Sequence, residues 1–195
     1  MLLLLLQYFH GNRILIVSGA VKSNPDGSSG EIKFGGPPNL NSEEENSYHM
    51  PRALKCDACR IIAYLLAQGF DKAHSRRPTL EPELPESEIL ASAEKVCFSK
   101  FEHYGIIEIN GEKRLNGPGL DTENAIGVTQ SGGKWPIRLH QMCEEYLGDI
   151  GEENIYDAYK QAKNLKSFQK YLCEQSGELA HCAKRKLGEK EKREL

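Results

Sequence analysis

Cys56-Asp57-Ala58-Cys59 sets two thiols one helical turn apart, on a stretch, residues 53–73, where Leu54, Ala58, Ile61, Ile62, Leu65 and Phe70 recur at helical spacing. Both cysteines therefore lie near the buried face of an amphipathic helix. Four further cysteines stand at 97, 143, 173 and 182. An even count reads as three bridges in an oxidising compartment, and as metal ligands or redox chemistry in the cytosol. Six cysteines allow fifteen connectivities, and sequence alone does not choose among them. If the first helix and the C-terminal segment lie antiparallel, Cys59 meets Cys173 and Cys56 meets Cys182, which leaves Cys97 to join Cys143.

The two ends bear on the compartment. Met1 and five leucines are followed by Gly11-Asn12-Arg13, a second apolar run Ile14-Leu15-Ile16-Val17, and Ser18-Gly19-Ala20. Small residues at 18 and 20 suit signal-peptidase cleavage after Ala20, so residues 1–20 are expected to be a signal peptide. Neither apolar run approaches the roughly 20 residues needed to span a bilayer, and no membrane span is expected. The last four residues, Lys192-Arg193-Glu194-Leu195, resemble the Lys-Asp-Glu-Leu retrieval signal of the endoplasmic reticulum and depart from it at Arg193. The expected location is the lumen of that compartment, with secretion as the alternative. With 25 basic against 28 acidic residues, the chain has no electrostatic footprint for nucleic acid.

A length of 195 residues leaves room for one domain of roughly 100–150 residues and its tails. Residues 21–46 hold very few apolar side chains, and are expected to be unstructured, with Glu43-Glu44-Glu45 as a solvated charge run. The domain is expected over residues 47–183, and a charged tail over 184–195. Beyond the first helix, Ile89, Ala93, Val96, Cys97, Phe101 and Tyr104 predict a second helix over 86–104, ended by Gly105. Asn110-Gly111 between β-prone flanks predicts a hairpin, and residues 117–133 read as loop. Pro136 suits the start of a third helix, in which Leu139, Met142, Cys143, Tyr146, Leu147 and Ile150 form a buried stripe. Residues 152–173 continue as one helix or two, with Ile155, Ala158, Tyr159, Ala162, Leu165, Phe168 and Leu172 facing one way.

Helices carrying six cysteines in a nested arrangement look like the saposin-like fold. Longer stretches are more specific: Cys56-Asp57-Ala58-Cys59-Arg60, Lys113-Arg114-Leu115-Asn116-Gly117-Pro118-Gly119-Leu120, Gly132-Gly133-Lys134-Trp135-Pro136, and Cys143-Glu144-Glu145-Tyr146-Leu147-Gly148 followed by Gly151-Glu152 and Ile155-Tyr156. Together they resemble the plasma-cell-induced proteins of the endoplasmic reticulum related to the canopy family, in register over about residues 47–183. The resemblance implies an all-α, disulfide-stapled saposin-like bundle, with the loop and hairpin inserted between the second and third cysteine-bearing helices at residues 105–135. It further implies a lumenal co-chaperone that works with Hsp70- and Hsp90-class chaperones and helps immunoglobulin heavy and light chains, IgM above all, to assemble, oxidise and be secreted. Effects on calcium stores and integrin maturation come with it.

Two other classes compete with a binding module. A Cys-x-x-Cys at the start of a helix gains thiolate stabilisation from the macrodipole, so Cys56 and Cys59 are a candidate thiol-disulfide oxidoreductase pair. The strand that precedes such a motif in thioredoxin-like sites is missing: Met50-Pro51 and polar residues stand there. Lipid binding by opening of the bundle is the third reading, although the apolar stripes read better as core. The histidines at 49, 74, 103, 140 and 181 have no metal-ligand spacing with a cysteine, and His181 beside Cys182 has no third group to orient it, so neither a metal nor a cofactor is expected. Partner binding is expected in the insertion, through Arg114, Leu115, Leu120 and Trp135.

Overall fold

The first cysteine-bearing helix is the centre of the molecule because nearly all of its circumference is covered. In the computed structural model, which describes residues 14–15, 36–77, 83–98 and 101–183, it runs from Lys55 to His74 and buries Ala58, Cys59, Ile61, Ile62, Leu66 and Phe70. The remainder of the expected signal peptide, residues 21–35 of the expected unstructured segment, and the tail with Lys192 to Leu195 lie outside the described residues.

In chain order the elements are β1 (Ile14–Leu15), α1 (Ser42–Asn46), α2 (Lys55–His74), α3 (Glu86–Cys97), β2 (Gly105–Ile109), β3 (Glu112–Asn116), β4 (Thr129–Ser131), α4 (Trp135–Ile150), α5 (Glu152–Gln161) and α6 (Leu165–Lys170). Tight 3-10 turns precede α2 and β2, and a wide π turn, Tyr171–Gln175, carries Cys173. The mostly helical, disulfide-stapled class expected from the stripes is found. Ile89, Ala93, Val96, Leu139, Met142, Tyr146, Ile155, Phe168 and Leu172 meet α2 in one apolar core. Burying such side chains is worth about 1.5–3 kcal/mol each, which is why the stripes and not helix propensity determine the packing.

Three expectations are corrected. Residues 36–46 are not unstructured: Pro38 is buried, and Asn41 caps α1 by accepting from the Glu44 N–H while the Glu44 carboxylate accepts from the Asn41 N–H. Glu44 is no solvated charge either, since it pairs with Lys113 of β3. The second helix stops at Cys97, seven residues before Tyr104, and Gly105 opens a strand instead of ending a helix. Glycine is needed there because β4 runs so close that a Cβ would lie 2.4 Å from the Gln130 carbonyl oxygen.

The hairpin forms at its expected place, with Asn110 (φ 53°) and Gly111 (φ 80°) in the left-handed turn that matches strand twist, and Ile109 opposite Glu112. The sheet is larger than a hairpin. Its order is β1-β4-β2-β3, all antiparallel, with β4 drawn from the stretch that reads as loop. Ile106, Leu115 and Leu120 join the helical core, so the insertion is packed onto the helices at these positions.

Candidate functional site

The three bridges join Cys56 to Cys182, Cys59 to Cys173 and Cys97 to Cys143, with Cα separations of 4.7, 5.7 and 5.4 Å. This is the nested pairing expected of an α2 antiparallel to the C-terminal segment. Cys59, Cys97, Cys143 and Cys173 are buried, whereas Cys56 and Cys182 are partly exposed. Each sulfur of the Cys-x-x-Cys is therefore held by a different distant cysteine. No free thiol remains among the described residues to act as a nucleophile. Only the outer bridge is within reach of an external thiol. His181 is next to it, and burial, aided by Lys55, lowers the imidazole pKa below its ordinary value.

Between the two cysteines lies Asp57, 3% exposed. A carboxylate there needs partners, because a buried unpaired charge costs several kcal/mol. Arg114 of β3 supplies them: its Nε donates to Oδ2 at 2.7 Å and its Nη2 to Oδ1 at 2.8 Å, while the Leu115 N–H donates to Oδ2 at 3.1 Å. Arg114 Nη2 also reaches Asp121 at 3.1 Å, and Arg60 stands 4.0 Å from the same carboxylate. The hydrogen bonds to Asp57 push the Arg114 pKa up, against an opposing effect of burial, so the guanidinium is charged at any accessible pH. Asp57, inside the Cys-x-x-Cys, is thus the socket into which the insertion plugs.

That geometry corrects the expected partner contacts. Arg114 is engaged with Asp57 and Asp121, and Leu115, Leu120 and Trp135 are buried in the core. Thr122 fixes the strand by donating to the Leu115 carbonyl at 2.6 Å. The sequence reading takes Arg114 and Leu115 as part of an exposed hairpin, Leu120 as part of a loop and Trp135 as the residue before a helix start. The signal that opposed it was Asp57 itself, one acid beside an apolar stripe, with an arginine in a β-prone segment to match.

The exposed apolar side chains are others: Phe98 (72% exposed), Ile126 (66%), Tyr48 (54%), Ile137 and Tyr171. Ile126 belongs to the insertion, and Phe98 sits at the end of α3 with its ring 5.3 Å from that of His140. Isolated apolar residues in polar surroundings were the available signal, and it is a weak one. Alongside the two nested bridges runs a half-open groove of about 510 Å³, lined by Arg60, Asp121, Lys166, Gln169, Lys170 and Glu174. Both signs of charge face it. Among the described residues no group of three His, Cys, Asp or Glu side chains is placed to hold a metal ion. No described helix is long and apolar enough to cross a membrane.

No protein-family model matches the chain. It is 40% identical over 161 residues to the marginal zone B- and B1-cell-specific protein of Mus musculus, covering 79% of this chain and 83% of that protein. The protein of the same name from Rattus norvegicus is 42% identical over 130 residues, 64% of this chain and 69% of its own length. That from Homo sapiens is 40% identical over 132 residues, 65% of this chain and 70% of its own length.

Proposed function

Because the chain belongs to the marginal zone B- and B1-cell-specific protein family, we propose that it is a lumenal co-chaperone of the endoplasmic reticulum, built as a saposin-like binding module, that assists immunoglobulin assembly. The observation that carries the reading is identity of 40% over 79% of the chain. Three bridges with four buried sulfurs support an oxidising compartment, where such bonds persist. The leader-like residues 1–20 and the retrieval-like Lys192-Arg193-Glu194-Leu195 agree with that location. Its partners in this reading are Hsp70- and Hsp90-class chaperones and immunoglobulin heavy and light chains, IgM foremost, with calcium stores and integrin maturation affected downstream. Exposed Phe98, Ile126 and Tyr171 replace the insertion's buried residues as the contacts to examine.

The test is affinity capture of the full chain from antibody-secreting cells, with mass spectrometry of what is bound. Recovery of the two chaperone classes and of immunoglobulin chains, lost or reduced in Phe98→Ser with Ile126→Ser, supports the reading. Recovery of neither class overturns it. Removing Lys192 to Leu195 is expected to send the protein to the medium, and equal secretion of both forms would sink the retention claim.

A further inference from the structure

Arg138 of α4 is 1% exposed, the largest of the fully buried side chains. Its hydrogen bonds all go to backbone carbonyls just N-terminal to α2. Nε and Nη2 donate to the Ser47 oxygen at 3.1 and 2.5 Å, and Nη2 also donates to Glu44 O at 2.7 Å and Glu43 O at 3.4 Å. Its guanidinium lies 4.3 Å over the Trp135 ring. Among the described residues no carboxylate is bonded to it. The side chains of Glu43 and Glu44 act on it only at a distance, and the Glu44 carboxylate is already taken by Lys113 and the Asn41 N–H. The second terminal nitrogen, Nη1, is buried without a hydrogen-bond partner among the described residues. A buried cation with an unused donor is a rare and costly arrangement, and such groups need an account.

Beside it opens a cleft of about 330 Å³ whose lining includes Arg138. Two further cationic or titratable groups, Lys55 and His49, stand on its rim with the Gln141 amide, and Met50 and Met142, both nearly fully buried, give it apolar walls. No ion pair among the described residues engages Lys55. Glu145 is the one acid in the lining, and it is exposed. Its size is at the small end of ligand sites, enough for one side chain or chain terminus and not for a folded surface.

We propose that this cleft is a carboxylate-binding site, which takes an acidic group flanked by an apolar one from a polypeptide, with Arg138 at its base and Lys55 and Gln141 at its rim. The Lys55 ammonium meets the carboxylate at the rim, the buried Arg138 guanidinium adds its charge from beneath, and the methionines meet the neighbouring aliphatic group. The uncharged amide form of the same ligand would leave both cations unpaired, so the site discriminates the ionised carboxylate from its amide. The site lies apart from the groove at the nested bridges, and its existence does not depend on the co-chaperone reading.

The experiment follows the guanidinium and backbone signals of Arg138 by NMR in the full chain during titration with four probes. These are sodium acetate, inorganic phosphate, and a pentapeptide ending in leucine with a free or an amidated C-terminus. A saturable shift with the free-carboxylate peptide, at least tenfold weaker with the amidated form and with acetate, is expected. Lys55→Ala and Gln141→Glu alter the rim without touching the buried anchor, and each is expected to weaken the peptide at least fivefold. Arg138→Met releases the helix it anchors, so it is not used as the deciding variant. Equal response to the amidated peptide, or binding indifferent to both rim variants, overturns the proposal. Acetate binding as tightly as the peptide overturns the assignment to a polypeptide, and phosphate binding more tightly than either overturns the assignment to a carboxylate.

Discussion

Arg114, its side chain 24% exposed, and Arg138, 1% exposed, both fasten a non-helical or short helical segment to a long helix, yet they do so in opposite ways. Arg114 finds a complementary carboxylate, Asp57, in bidentate geometry, with Asp121 as a second acid. Arg138 holds three carbonyl oxygens and keeps one donor unused. The first contact is chemically complete and has nothing left to offer a ligand. The second has charge and hydrogen-bonding capacity in reserve. An arginine that ties two elements together is therefore not one kind of object: its partners tell whether it serves the fold alone.

The largest test of this contrast is Asp57→Ala, which leaves Arg114 with Asp121 as its remaining acid and takes the acceptor from the buried Leu115 N–H. Removing one partner of a buried pair costs about 3–5 kcal/mol, read as a fall in the midpoint of urea unfolding. Arg138→Met should cost about 2 kcal/mol or less, because it removes a desolvated charge along with its bonds to dipoles. A larger loss for Arg138→Met than for Asp57→Ala would break the comparison.

The covalent fastenings give a scale between these two. Replacing Cys97 and Cys143 by alanine opens a loop with a sequence separation of 46, worth about 4 kcal/mol in the chain-entropy model. Losing only one of the nested pair should cost less, about 3 kcal/mol. The surviving bridge still closes the long loop, and the missing one constrains only the residues from Cys56 to Cys59 and from Cys173 to Cys182. Thermal unfolding of the two double-alanine variants reads the order, and a reversed order would show that strain or packing around the sulfurs outweighs loop entropy.

The smallest effect concerns α1. Burial raises the Glu44 pKa, but the hydrogen bond from Lys113, the Asn41 N–H and the fields of Lys113 and Arg138 outweigh it, so the net shift is downward. The stabilisation is present above the ordinary glutamate value of about 4.3 and is lost as pH falls through the lower folded value. Glu44→Gln should remove that dependence at a cost of about 1 kcal/mol at neutral pH, with amide exchange at residues 42–46 as the readout. A pH-independent α1 in the unsubstituted chain would instead leave the Arg138 contacts and the Lys134 bond to the Asn46 carbonyl as its anchors.

Much of this was legible in residue spacing. Leu139, Met142, Cys143, Tyr146 and Leu147 declare their buried face within one helix, and Asn110-Gly111 declares its turn within four residues. Those signals are local. The strand Thr129–Ser131 is three residues long, too short for any alternation to be read. The end of α3 was overrun because Phe101 and Tyr104 are buried through a turn and not a continued helix. Ordering of residues 42–46 depends on an arginine more than 90 positions downstream. The insertion was misread for a related reason. Arg114 and Leu115 have the composition of a contact surface, and only the position of Asp57 between two bridged cysteines reveals that their contact is internal.

The nesting of the bridges also governs how the chain can be made. During synthesis, Cys97 and Cys143 are both available long before Cys173 and Cys182, so the inner loop can close on a partly translated chain. Cys56 and Cys59, which emerge first, must wait for the last two. At about 5–20 residues per second, the interval between the exit of Cys143 and that of Cys182 is roughly 2–8 s. Throughout it two neighbouring thiols on the helix that forms the centre of the core are exposed to oxidation with each other or with foreign chains. The maturation of this molecule is thus a problem of timing, in which its earliest cysteines are the last to be satisfied.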